Sequence, residues 1–332
     1  MDKAVFILGA GASAPFGVPT LLNVFKDHSA RAYLNENEFL RTRLACLFWR
    51  PRGHTLDTSN ETLSVEEILT LVRDFEKPAY AFAPPMLPED GESDRFKRDL
   101  YVLIKKAVYD HKNTQAGYLN PIIGHARANI KQSTWATFNW DCIFEASYYY
   151  SGGSHPFDRC NPRVVVDLQN WYSGSQRCTY LKLHGGINWW YENNSLHYLP
   201  FGSQPALNEK WAAYQHGETG GQPVILEPSY YKYSDPVYEL LRSQWDYFVQ
   251  RLLDAELVVI IGYSLPEADE EARRALSIGF QSNRNARYLV IDPMEWVCGR
   301  YKRLFGTSRL RTIQKPIEEV YEELPDLIEG RQ

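Results

Sequence analysis

Several familiar patterns are missing from this 332-residue chain. No Cys-x-x-Cys pair occurs: the five cysteines, Cys46, Cys142, Cys160, Cys178 and Cys298, are odd in number and widely spaced. That excludes a four-cysteine zinc ribbon and a disulfide framework, and it fits a reducing compartment. The eight histidines form no His-Glu-x-x-His helical pair, so no metal site is expected. Lysines and arginines do not cluster, and the net charge is −5. A nucleic-acid binder usually carries a basic face, so direct nucleic-acid binding is not expected. No apolar run approaches the roughly 18 residues a membrane span needs. A signal-peptidase-like Ala12-Ser13-Ala14 follows the apolar run Ala4 to Leu8, but five residues are short for a signal-peptide core. A buried strand explains that run better, and a cytoplasmic chain is expected.

What is present is an ordinary soluble composition, 44% apolar and 23% charged. The length suits one large domain with an insertion, or two domains. Ala4 to Leu8 is continuously apolar, as in a parallel strand covered on both faces. Residues 20 to about 130 read as mainly helical. Ser64-Val65-Glu66-Glu67 is a capping box, and Val65, Ile68, Leu69, Val72 and Phe75 repeat at helical spacing. A second helix is predicted over Arg95 to Tyr109, with the Pro-rich Phe82 to Pro85 as a loop between. The sheet resumes at Thr134 to Phe138, and a helix starts near Asp141. An irregular stretch over 151–176 precedes a strand at Thr179 to Leu183. A hairpin or loop region then runs to about 222. A helix over Val237 to Ala255 leads to a strand at Leu257 to Ile261. Pro266 is placed to open the next helix, where its missing N–H costs nothing. Arg287 to Ile291 is read as the last strand. Strands alternating with helices predict an α/β fold: a Rossmann-like parallel sheet flanked by helices, with a helical insertion after the first strand. The reading is one catalytic domain over 1–312, the insertion over 20–130, and a C-terminal helix or tail over 313–332.

Five polar or glycine turns fall at five strand ends, the single edge where such a sheet binds ligands. Gly9-Ala10-Gly11-Ala12-Ser13 suits close backbone approach to a pyrophosphate, with N–H groups aimed at it. An ordinary dehydrogenase reading fails, because Pro15, Gly17 and Pro19 interrupt the long helix it needs. Asp27 also falls in a helical segment instead of at a strand end. At Thr137-Phe138-Asn139-Trp140-Asp141, the Asn and Asp can hydrogen-bond an amide and a ribose; Asp141 is equally a helix N-cap. His184 in Leu183-His184-Gly185-Gly186 is a candidate general base, and the two glycines leave room for a ligand. Gly262 and Ser264 suit a second phosphate or ribose contact, or Ser264 caps the next helix. Asp292 is an acceptor for an adenosine ribose, or a turn residue before Pro293.

In that order these pieces, with Phe16-Gly17-Val18-Pro19 and Leu226-Glu227-Pro228-Ser229-Tyr230, resemble the sirtuin superfamily, specifically its bacterial branch in anti-phage defence. The resemblance spans roughly residues 4 to 293. It implies that Gly9, Ala10, Gly11, Ala12 and Ser13 wrap the NAD⁺ phosphates, with Pro19 and Thr20 in the same site. Asn139 and Asp141, beside Thr137, would face the nicotinamide ribose. His184, followed by Gly185, would be the catalytic histidine. Gly262, Ser264 and Asp292 would hold the adenosine. Deacylating sirtuins carry a zinc module with paired Cys-x-x-Cys motifs, an Asp-Phe-Arg after the proline, and Gly-Thr-Ser. This chain has no such cysteines, Thr20-Leu21-Leu22, and Gly-Tyr-Ser. The resemblance therefore implies hydrolysis of NAD⁺ to nicotinamide and ADP-ribose, with NAD⁺ as substrate and no metal. Deacylation, ADP-ribosyl transfer and non-catalytic NAD⁺ binding are the alternatives. It also implies an NAD⁺-depleting effector of abortive infection, a homo-oligomer, and a separate activator: a HerA-like ATPase or an Argonaute-type partner.

Overall fold

The computed structural model describes residues 1–20, 23–47, 65, 68–69, 92–109, 117–151, 166–167, 177–199, 204–226 and 236–330. Its strands are β1 (Lys3–Leu8), β2 (Gln132–Thr137), β3 (Val166–Asp167), β4 (Arg177–Lys182), β5 (Gly185–Glu192), β6 (Ser195–Tyr198), β7 (Gln222–Ile225), β8 (Leu257–Ile261), β9 (Arg287–Ile291) and β10 (Leu310–Ile313). A seven-stranded sheet runs in the order β10-β9-β8-β1-β2-β4-β3. All its pairings are parallel except β3 with β4. Helices flank it, so the α/β, Rossmann-like expectation holds.

Burial explains the order. Every residue of β8 is 2% exposed or less, and Val5 to Leu8 of β1 are the same. Strands buried on both faces belong at the centre of such a sheet. At about 1.5–3 kcal/mol per buried large aliphatic side chain, β8 contributes on the order of 10 kcal/mol of burial. Phe6 of β1 stacks on Trp135 of β2 with ring centres 4.1 Å apart.

The helical insertion is present as His28–Glu36, Glu38–Leu47, Glu92–Tyr109 and Leu119–Asn129. The Asp27 carboxylate caps the first of these by accepting from Ser29 and Ala30 N–H groups, so Asp27 is a helix cap and not a dinucleotide-binding acid. Of the capping-box helix, Val65, Ile68 and Leu69 are helical and buried. Ser64, Glu66, Glu67, Val72, Phe75 and the Phe82 to Pro85 loop lie outside the described residues, as does most of 151–176.

Three expectations need correction. The region up to 222 is more than the expected hairpin: β5 and β6 form it, β7 joins them in a separate three-stranded sheet, β6-β5-β7, and a helix, Gln204–His216, lies between. Asn193 and Asn194, at φ 51° and 57°, make the tight turn between β5 and β6. Two successive left-handed residues form the turn that matches strand twist, and Asn tolerates that conformation. The helix after β8 starts at Glu270, not at Pro266, because the Asp269 N–H closes a turn on the Pro266 carbonyl at 3.1 Å. Arg287–Ile291 is not the last strand: β10 pairs parallel to it. The chain then ends in a short helix, Leu324–Glu329, whose Leu324, Leu327 and Ile328 join the core. Among the described residues Cys142, Cys178 and Cys298 are free thiols, and no helix is long and apolar enough to cross a membrane.

Candidate active site

Six strands end in one row. Leu8 pairs with Thr137 and Ile261, Thr137 with Lys182, Ile261 with Ile291, and Ile291 with Ile313. The turns that follow therefore share one edge. From β1 the chain builds one side through β2 and β4 and the other through β8, β9 and β10. Strand order reverses between β1 and β8, the position where open α/β sheets bind ligands.

The turns after β1 and β8 meet at that point backbone to backbone. Gly9 N–H donates to the Ile261 carbonyl at 3.0 Å, and Gly11 N–H to the Gly262 carbonyl at 2.9 Å. A Cβ on Gly9 would fall 2.5 Å from Gly262 O, and one on Gly262, at φ +59°, would fall 2.3 Å from Ala12 N. The glycines thus have a structural role: they let two turns touch, and the Gly9 and Gly11 N–H groups are spent on that contact. Ala10 to Ser13 form only one helical turn before Ala14–Phe16 tightens into a 3-10 turn. Tyr118, ahead of the helix Leu119–Asn129, donates its hydroxyl to the Ala12 carbonyl.

The turn after β2 is fastened to the same place. Asn139 Nδ2 donates to Gly9 O at 2.8 Å and to Ser13 Oγ at 3.0 Å. Its own N–H reaches Thr137 Oγ1 at 3.1 Å. Because a carbonyl only accepts, the amide orientation is fixed, and Oδ1 is the atom left to accept from a ribose hydroxyl or water. The Asp141 carboxylate accepts from Ile143 N–H at 2.8 Å, so it does brace the helix Ile143–Tyr150. Burial raises its pKa above the usual 3.8, while that N–H and the Lys182 ammonium pull it back.

His184, one turn beyond β4, is 5% exposed. Its Nε2 lies 3.4 Å from Asp269 Oδ2, and the Tyr263 hydroxyl donates to the same oxygen at 2.5 Å. Phe138 stacks on Tyr263 at 4.1 Å and meets the His184 ring edge-on at 5.1 Å. A carboxylate beside an imidazole orients the ring for proton transfer. Asp269 escaped the sequence reading, because its place two residues past Glu267 carries no sign of the distant histidine. The glycines after His184 are packed in a similar way. A Cβ on Gly185, at φ +66°, would sit 1.9 Å from Val224 O, and one on Gly186 2.2 Å from Lys182 Cε. They admit β7 and a lysine.

On the far side, Asp292 Oδ1 accepts from Met294 N–H at 2.9 Å, the turn role, and burial raises its pKa. Arg300 donates to the Ser264 and Leu265 carbonyls at 2.9 and 2.7 Å. Ser264 does not cap the next helix, which begins six residues later at Glu270. Thr20 Oγ1 accepts from Asn23 Nδ2 at 3.1 Å, and Pro19 beside it is half-buried; neither has a described bond to the other site residues.

A buried cluster behind the rim was also missed. Lys182, fully buried, donates to the Asp141 carbonyl at 2.5 Å, to Glu145 Oε1 at 2.8 Å and to Asn188 Oδ1 at 3.2 Å. Burial, the largest single influence, lowers the ammonium's pKa, but Glu145, Cys142 and Asp141 together outweigh it, so the net shift is upward. No group of three or more His, Cys, Asp or Glu side chains able to hold a metal occurs among the described residues.

No family model and no curated protein matches the sequence. Solved structures do. The chain is similar to a mutant Sir2 homologue in complex with 2′-O-acetyl ADP ribose, at 15% identity and a TM-score of 0.49 over 99% of this chain and 92% of that one. It is similar to a Sir2 complex with a p53 peptide and NAD⁺, at 12% identity and 0.48 over 99% and 94%. It is likewise similar to a structure described for the mechanism and regulation of Sir2 enzymes, at 13% and 0.48 over 100% and 94%.

Proposed function

We propose that the chain is an NAD⁺ glycohydrolase. One observation carries the reading: an asparagine fastened to the Gly9–Ser13 turn and a histidine backed by a carboxylate share the carboxyl edge of one parallel sheet. The substrate lies across the switch point, its adenosine toward Gly262, Ser264 and Asp292 and its nicotinamide ribose toward Asn139 and His184.

The C1′–N bond breaks with both electrons leaving on nicotinamide, which departs neutral and leaves an oxocarbenium-like ribose. Water adds to C1′. Asn139 Oδ1 accepts a hydrogen bond from that water or from a ribose hydroxyl. His184, held by Asp269 and Tyr263, accepts the water's proton. Asp141 braces the Asn139 turn beside the ribose. The products are nicotinamide, ADP-ribose and a proton, and no metal takes part. Activation by a separate protein, with self-association, belongs to the same proposal; a HerA-like ATPase or an Argonaute-type protein is the expected partner.

The test is the purified chain with NAD⁺, alone and with its genomic neighbour, with products resolved by chromatography. Nicotinamide with free ADP-ribose supports hydrolysis. O-acyl-ADP-ribose or a modified protein redirects the reading to transfer. Binding without turnover in both arms leaves only a binding module.

A further inference from the structure

The Asn139–Asp141 turn is held at each residue. Asn139 is tied through its side chain to Gly9 O. The Trp140 carbonyl accepts from Ile187 N–H at 3.0 Å. The Asp141 carbonyl accepts from Lys182 Nζ at 2.5 Å. The last of these is unusual, because a fully buried ammonium makes it.

Burying Lys182 and Glu145 takes two charges out of water, and an apolar pair of like volume often stabilises a fold as well or better. Stability alone therefore does not account for the pair. An ammonium differs from a hydrocarbon in donating three directed hydrogen bonds, and one of them ends on the turn that carries Asn139. The surroundings are shaped to it: Gly186 leaves the space its Cε and Nζ occupy, and Gln244 Oε1 accepts the Lys182 N–H at 2.7 Å. Lys182 also lies two residues before His184 on the same strand end. One short segment thus carries the histidine and the clamp on the asparagine's turn.

We propose that Lys182 is a positioning residue. Its ammonium, neutralised by Glu145, fixes the Asn139–Asp141 turn relative to His184, so that asparagine and histidine address the same ribose carbon. The catalytic half of this statement rests on the NAD⁺ reading; the structural half does not.

The single change Lys182→Met leaves the Glu145 charge buried alone and is expected to fold poorly. The informative variant joins Lys182→Met to Glu145→Gln, which removes both charges at similar volume and keeps a partner for Asn188. Two readouts on the full chain are needed. In hydrogen exchange, the peptide covering Asn139 to Ile143 should exchange at least tenfold faster, while β2 and β4 keep their protection. In kinetics, kcat for NAD⁺ should fall at least tenfold with KM within about twofold, at an unchanged melting temperature. Unchanged exchange at the turn overturns the proposal, whatever the activity. Faster exchange with an unchanged kcat overturns its catalytic half. If the wild-type chain makes no nicotinamide under any condition, the NAD⁺ reading fails, and the exchange result still decides whether Lys182 holds the turn.

Discussion

Asn139 and Gly9 stand 130 residues apart in sequence and meet through one hydrogen bond, from the asparagine Nδ2 to the glycine carbonyl at 2.8 Å. The bond ties the turn after β2 to the turn after β1. It makes Asn139 part of the fold as well as a candidate for chemistry. Asn139→Asp, nearly isosteric, places an acceptor against that carbonyl. It should cost about 1–3 kcal/mol of stability and abolish NAD⁺ cleavage. Urea unfolding and product chromatography check both; a wild-type midpoint for the Asp variant contradicts the assignment.

Gly262 gives a sharper structural prediction. An alanine there meets Ala12 N and Gly11 C at 2.3 and 2.4 Å, at a φ of +59°. Backbone cannot move aside as a side chain can. Gly262→Ala should lose roughly 2 kcal/mol or more, above the 1 or so that positive φ costs by itself. Gly217→Ala, at φ +70° after the helix Gln204–His216 with nothing nearer than Arg98 Nη2 at 3.8 Å, should lose only that smaller amount. Equal losses in denaturant midpoints would show that the turns do not pack as described.

The His184–Asp269–Tyr263 arrangement predicts a graded series in turnover. His184→Ala should lower kcat about 10²- to 10⁴-fold, the usual share of a general base. Asp269→Asn keeps the shape and removes the charge, and should cost about tenfold or more. Tyr263→Phe keeps the stack on Phe138 and drops one bond to Asp269, and should cost least. Steady-state kinetics on the three variants check the order; Asp269→Asn at full activity removes the carboxylate from the account.

Asp141 predicts a pH effect. Burial raises its pKa above 3.8 in the folded chain, so the native state holds this proton more tightly than the unfolded one. The contribution to stability is then complete below the unfolded pKa and is lost as pH rises through the folded value. Asp141→Asn, uncharged at every pH and still able to accept from Ile143 N–H, escapes that loss. Relative to wild type it should gain stability at pH 7 and not at pH 4. Melting curves at the two pH values check the sign; a greater gain at pH 4 reverses it.

The sheet was legible where burial is two-sided. Leu257–Ile261 is five aliphatic residues and coincides with β8. β10 was not legible, because Leu310–Ile313 is half-exposed and carries Arg311 and Thr312 among its four residues. Pro266 marked a helix start correctly in kind and wrongly in place, since Pro also suits the tight turn that precedes Glu270. The glycines announced turns but not what approaches them: Gly9 and Gly262 are 253 apart in number, and only the sheet order brings them together. Asp269 beside His184, and Glu145 beside Lys182, are the same kind of relation. A charged residue in a sequence reads as solvated until a partner is seen, and neither partner lies within helical reach.

The most direct test of the account is the structure of the His184→Ala chain soaked in NAD⁺. The account predicts the dinucleotide across the switch point between the Gly9 and Gly262 turns, its nicotinamide ribose within hydrogen-bond distance of Asn139 Oδ1 and its adenosine beside Asp292. NAD⁺ bound at another edge of the sheet, or reversed so that the adenosine meets Asn139, contradicts it.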